Sequence, residues 1–161
     1  MLDALTFQME VRRLESLMYR VSRSYLGNDD DALDAVQEAL AKAWEKRARL
    51  HDLSQFKPWV MRILVNQCKD MLRRRKRISF HPLDEELAAE EIPPAALPVW
   101  EAVETLPPGL RVLILLYYVD GFSIRDISET MGLPEGTVKS RMRSARKQIG
   151  RTLLVEWEEL L

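Results

Sequence analysis

The sequence has little of what secreted, metal-binding and membrane-spanning chains need. Its one cysteine, Cys68, excludes an internal disulfide, and with only His51 and His81 beside it no Cys/His zinc framework can be written. Such thiol poverty fits a reducing, cytoplasmic setting. The longest uninterrupted apolar run, Val112 to Val119, is eight residues. A membrane-spanning helix needs about 20, so no membrane insertion is expected. The start, Met1 to Phe7, lacks the basic residues and apolar stretch of a secretory signal. There is also no excess charge: 24 Lys and Arg face 25 Asp and Glu, a net of −1. As a total, that argues against nucleic-acid binding, whose footprint is surplus positive charge.

What is present changes that inference. The 161 residues suit one mid-sized domain or two small ones, and 47% apolar content supplies a core. The charge is sharply segregated: residues 1–77 carry +5, 78–98 carry −5, 99–133 carry −3, 134–153 carry +5 and 154–161 carry −3. The 78–98 stretch has no Lys or Arg, and six of the eight prolines fall between Pro82 and Pro108. Proline removes a backbone donor and disfavours helix before itself, so this reads as a solvated connector with room for a helical turn around Asp84–Glu90. Strand-like alternation is absent. The fold class expected is all-α: two small helical domains, 1–77 and 99–161, joined by an acidic, proline-containing linker at 78–98.

In the first block, Leu14, Leu17, Met18, Val21 and Tyr25 recur at helical spacing. Gly27 to Asp31 reads as a stop followed by a cap, with Asp at the next N-terminus. A second helix over about 31–48 places Leu33, Val36, Leu40 and Trp44 on one face, with Asp34, Gln37, Glu38 and Lys42 elsewhere on its surface. After the loop Arg49–Gln55, a third helix runs from about Lys57 to Arg77. Its apolar stripe is Trp59, Val60, Ile63, Leu64, Cys68, Met71 and Leu72. Arg62, Asn66, Lys69 and Arg73, spaced by four, three and four, project from the opposite face.

The second block carries the sharpest signal. Gly121 ends a helix, Ser123 with Asp126 resembles a capping pair, and Ile124, Ile127 and Met131 line a short helix. Gly132 supplies a turn and Pro134 suits the start of the next helix. That helix, about 134–152, has Val138, Met142, Ala145 and Ile149 inward and Lys139, Ser140, Arg141, Arg143, Ser144, Arg146 and Lys147 outward. Two helices joined by a glycine turn, the second strongly basic, make a helix-turn-helix whose second helix enters the DNA major groove. There Arg or Lys can donate two bonds to guanine and neutralise phosphates.

Other residues carry less. The run Arg73–Arg77 is unspecific by itself, although Asn66 ahead of it can donate to and accept from a base edge. Phe56 and Trp59 have rings able to stack on unpaired bases, but Trp59 at its stripe spacing reads as core. Asp34, Gln37 and Glu38 read as a protein-docking face or a merely solvated one, since no histidine, metal ligand or phosphate loop accompanies them. Cys68 reads as a small buried hydrophobe, and Tyr117 and Tyr118 as packing residues. No catalytic cluster emerges, and no cofactor is implied. The helix-turn-helix alone also suits an autonomous DNA-binding regulator with a dimerising N-terminal block.

Taken in order, the motifs resemble the extracytoplasmic-function (ECF) family of bacterial sigma factors. Asp31 to Trp44 is similar to that family's core-polymerase-binding helix. Phe56 to Asn66 with Arg73–Arg77 is similar to its −10-reading helix. Leu106-Pro-Pro, Gly121-Phe-Ser and Pro134 to Arg141 are similar to its −35-reading domain. The resemblance implies docking of Asp34, Gln37 and Glu38 on the clamp helices of the largest polymerase subunit, with the flap region as a further contact. It implies that Arg49–Phe56 capture a flipped base, and that Arg62, Asn66, Lys69 and Arg73 meet the −10 element. Thr137, Lys139, Ser140, Arg141, Arg143 and Lys147 would contact the −35 element. An anti-sigma factor would be a further partner, and the Trp157-containing tail has no assigned role.

Overall fold

The computed structural model describes residues 2–78 and 98–160. The turn expected around Asp84–Glu90 therefore lies outside the described residues. Every regular element described is helical. Two compact units form among the described residues: the first takes in 2–78 and Glu129–Gly132, the second 98–128 and 133–160.

In the first unit, α1 (Ala4–Leu26) opens where the Asp3 carboxylate accepts the Thr6 amide at 2.7 Å, satisfying one otherwise unbonded donor. It stops at Gly27, whose φ of 79° is open to glycine at little cost and whose amide donates to the Arg23 carbonyl at 2.9 Å. The cap of α2 (Asp29–Glu45) is Asn28 and not an aspartate. Asn28 is the residue left extended after the left-handed glycine, and its side chain accepts the Asp31 amide at 2.8 Å. Asp29, Asp30 and Asp31 consequently fill the first turn, where the helix dipole favours anions. Two 3-10 turns, Arg47–Arg49 and Leu53–Gln55, lead to α3 (Phe56–Ile78), with Pro58 tolerated in its first turn.

Each of these three helices packs on the other two. The α1 stripe is buried as the spacing predicts: Leu14, Leu17, Met18, Val21 and Tyr25. From α3 come Val60, Leu64 and Cys68 as expected, joined by Met61 and Val65, while Trp59, Ile63, Met71 and Leu72 are only half-buried. Burial pushes the Cys68 thiol up to about 11, as suits an inert core group.

Helix α2 overturns its predicted inner face. Ala32, Ala35, Ala39 and Ala43 are fully buried, whereas Leu33 is 51% exposed and Val36, Leu40 and Trp44 are half-buried. Both sets recur at helical spacing. Ranking by hydrophobicity selects the bulky set, but small side chains let α2 approach two neighbours closely, and close packing decides.

The second unit holds α4 (Pro98–Glu104), α5 (Pro108–Ile114), the greater part of α6 (Ile124–Met131) and α7 (Glu135–Leu160). Its core draws on Ala102, Val103, Leu106, Val112, Leu113, Leu116, Phe122, Ile127, Val138, Met142 and Ala145. Helix α5 runs on into a π-helical turn, Leu115–Val119, where the Asp120 amide donates to the Leu115 carbonyl at 3.2 Å. The wider turn takes the residues after Leu116 out of register with the core stripe. Tyr117 is thus half-buried and Tyr118 is 56% exposed, which corrects the reading of Tyr118 as a packing residue. Helix α7 also continues to Leu160, past the predicted end near 152.

The α2 finding predicts an inverted mutational pattern. Ala39→Leu should destabilise the chain by about 1–3 kcal/mol through overpacking, while Leu33→Ala should change stability by less than about 0.5 kcal/mol. Urea unfolding followed by circular dichroism checks both, and the reverse order would reject the alanine face.

Candidate functional site

Burying the alanines turns the remaining surface of α2 outward. Asp34, Gln37 and Glu38 are exposed, with Leu33 beside them. Lys42, from the same predicted polar stripe, instead donates to the buried side-chain carbonyl of Gln67 and ties α2 to α3.

Beyond α2 the chain enters the 46–55 loop over an aromatic cluster. Phe7 meets Trp44 and Phe56 edge-on at centroid distances of 5.2 and 5.8 Å, and Phe56 lies 5.9 Å from Trp59. Phe56 is only 1% exposed. Its ring has no face to offer a base, so its expected place in the −10 surface is corrected: it is a core residue closing the loop. Arg47, which sequence reasoning missed, stacks 3.8 Å over Trp44 and donates to the Trp44 carbonyl at 2.7 Å. Asp52 caps the second 3-10 turn by accepting the Ser54 amide at 3.0 Å. Arg49, His51 and Leu53 remain exposed.

On α3, Arg62, Asn66 and Arg73 are exposed along one face, with Lys69 half-buried among them. Arg73 pairs with Asp70 at 2.9 Å on the open surface, a contact of small energetic weight. The basic run that follows is divided in use. Arg74 and Lys76 face solvent, but Arg75 turns back to the Asp31 carboxylate and donates to the Leu26 carbonyl at 2.9 Å. It thereby braces the α1–α2 corner. The Asn28 amide, donating at 3.0 Å, and the Arg75 guanidinium together hold the Asp31 carboxyl below the usual carboxylate range.

The helix-turn-helix is built as its residues predict. Ser123 accepts the Asp126 amide at 3.0 Å to start α6, and Gly132 turns the chain at a φ of 65°. Along α7, Val138, Met142 and Ala145 are buried, while Lys139, Ser140, Arg141, Arg143, Arg146 and Lys147 are exposed and Thr137 is half-buried. The Ser140 hydroxyl donates to the Gly136 carbonyl at 3.0 Å. Arg146 donates from Nε to the exposed Tyr118 hydroxyl at 2.8 Å, a pairing no sequence signal announced. Among the described residues, no cluster of His, Cys, Asp and Glu could hold a metal ion, and no helix is long and apolar enough to cross a membrane.

Comparison with known proteins decides what these surfaces belong to. The sigma-70 region 2 family matches residues 11–78, and the sigma-70 region 4 family matches residues 96–149. The ECF RNA polymerase sigma factor SigM of Mycobacterium tuberculosis is 31% identical over 154 residues, spanning 94% of this chain and 79% of that relative. The chain belongs to the ECF family of RNA polymerase sigma factors. SigV of Bacillus subtilis is 32% identical over 134 residues, covering 80% of each protein. Among solved structures, the sigma factor RpoE of Bartonella quintana, bound to the anti-sigma factor NepR, matches with a TM-score of 0.72 at 27% identity. That match covers 92% of this chain and 97% of RpoE. CnrH, solved with the cytosolic domain of CnrY, matches with a TM-score of 0.67 at 25% identity, over 95% of this chain and 90% of CnrH. This ECF sigma factor is therefore non-enzymatic. It directs transcription initiation, and its region 4 carries a DNA-binding helix-turn-helix.

The Asp31 tie has a pH signature. A carboxyl whose folded pKa is depressed contributes stability above its unfolded pKa and loses it as pH falls through the folded value. Acid unfolding of the wild type should therefore include an Asp31 contribution below about pH 4. Asp31→Asn should lack that contribution and show a shallower loss of stability as pH falls below about 4. Identical pH profiles for the two proteins would show that the carboxylate contributes nothing.

Proposed function

We propose that this sigma factor divides its work among three surfaces, within domains 1–77 and 99–161 separated by the 78–98 linker. The exposed face of α2, Asp34, Gln37 and Glu38, docks on the clamp helices of the largest polymerase subunit, and the second domain meets the flap region. Arg49 in the loop, with Arg62, Asn66, Lys69 and Arg73 on α3, meets the −10 element, where the loop captures an unpaired base of the opened strand. Thr137, Lys139, Ser140, Arg141, Arg143 and Lys147 meet the −35 element. The packing of α2 through alanines carries this reading, because it leaves an acidic and polar helix face with no role in the core. Exposed cations on α3 and α7 support the two DNA surfaces.

The mechanism is binding energy. Direct readout comes from side chains at the start of α7, and phosphate contacts give affinity independent of sequence. Opening follows from capturing bases once they leave the stack, since each base held apart offsets part of the unpairing cost. The acids of the linker and tail cancel the basic faces in the total charge, so polymerase supplies much of the promoter affinity. An anti-sigma factor holds the protein inactive in the cytoplasm, a reading supported by the NepR and CnrY complexes of its structural relatives.

Two substitutions test the division. Asp34→Ala with Glu38→Ala should weaken capture by core polymerase at least about tenfold, as a loss of roughly 1.4 kcal/mol or more from a docking face requires. An autonomous regulator would show no dependence on this face. Arg141→Ala should cost about 1–3 kcal/mol of promoter affinity and relax discrimination at one −35 position. A loss uniform across promoter sequences would make Arg141 a phosphate contact instead.

A further inference from the structure

The π-helical turn that ends α5 has an effect beyond packing. It sets Tyr118 outside the core, 56% exposed, with its ring braced edge-on by Tyr117 at a centroid distance of 4.9 Å. Twenty-eight residues further along the chain, Arg146 reaches the same ring: its guanidinium carbon lies 5.8 Å from the Tyr118 centroid, and its Nε donates to the hydroxyl at 2.8 Å. Both residues belong to the second unit, and among the described residues the partner of Arg146 is this tyrosine, not a carboxylate.

A flexible guanidinium on an exposed helix samples many rotamers and loses that freedom on binding. Here one of its five N–H donors is already engaged, and the ring restricts the plane of the group. The engaged donor is Nε–H, so the two terminal nitrogens stay open as a fork of the kind that grips a phosphate. The hydroxyl accepts from Nε and keeps its own proton to donate outward. Two donors thus lie next to each other beside the basic face of α7, and among the described residues no carboxylate is paired with the guanidinium.

We propose that Tyr118 is a positioning residue that aims Arg146 at a single DNA backbone phosphate flanking the −35 element. The inference rests on the reading that the outward face of α7 meets −35 DNA. The pair adds affinity and fixes the register of α7 in the groove without reading a base, since phosphate contacts carry no direct sequence information. Pre-ordering the guanidinium removes part of the entropy lost on binding.

The test is a methylphosphonate scan of the −35 region, which neutralises one backbone phosphate at a time. Holoenzyme reconstituted from core polymerase and the full chain would be measured on a promoter located by start-site mapping. Arg146→Ala should weaken binding about tenfold and become insensitive to neutralisation at one phosphate only. Tyr118→Phe keeps the ring but removes the hydroxyl; it should lose about threefold and reduce sensitivity at that same phosphate. In an Arg146→Lys background, which lacks the Nε donor, Tyr118→Phe should have no further effect. A Tyr118→Phe loss spread evenly over all phosphates, or none where Arg146→Ala is selective, overturns the positioning role. An Arg146→Ala loss coupled to no phosphate overturns it too. If no phosphate near −35 matters even to the wild type, the −35 reading of α7 fails and takes the inference with it.

Discussion

Close approach between α2 and its two neighbours is the constraint on which the first unit depends. Four alanines on one face leave almost no side-chain volume between the backbones, so the gap closes by helix contact rather than by interdigitating large groups. The volume is made up from the other two helices, by Leu17, Met18 and Val21 of α1 and by Val60, Met61 and Leu64 of α3. A helix held through its small residues keeps its large and charged residues for the outside. Asp34, Gln37, Glu38 and Leu33 are exposed as a direct consequence.

The same corner of the fold sorts the basic residues. Arg75 sits in a run of five cations, yet it is committed to Asp31 and the Leu26 carbonyl, where it braces the junction of α1 and α2. Its neighbours Arg73, Arg74 and Lys76 stay at the surface and extend the line begun by Arg62 and Asn66. In the second unit, α7 buries an apolar stripe and exposes cations along the rest of its circumference. Bracing the fold and facing solvent thus draw on one residue type in adjacent positions, and only the packing tells which residue does which.

Much of this was legible in the sequence, and the exceptions share a cause. The α1 stripe, the glycine stop at Gly27, the serine cap at Ser123 and the inward face of α7 follow from periodicity and turn chemistry, which are local. The alanine face of α2 was not legible, because two sets of residues share helical spacing and only tertiary packing selects the smaller. Phe56 reads from the sequence as a ring able to stack on a base, and only Phe7 and Trp59 packed against it show that it belongs to the core. Tyr118 was misassigned because a π turn shifts the register of an apolar run without any proline or glycine to mark it. In the site, the exposure of α7 was readable residue by residue, whereas the pairings of Arg47 with Trp44 and Arg146 with Tyr118 join positions that no period connects.

Segregated charge links these surfaces to the way the protein works. A net of −1 hides two blocks of +5, one containing α3 and the other most of α7. On the proposed reading, the acids of the linker and tail offset their attraction for DNA in isolation, and polymerase brings the two blocks to the two promoter elements together. Fluorescence anisotropy of a promoter duplex, with the chain alone and with the chain bound to core polymerase, tests this most directly. Weak, salt-sensitive binding of the free chain and tight, promoter-selective binding of the holoenzyme is the predicted result. Tight, salt-resistant and selective binding by the chain alone would contradict it.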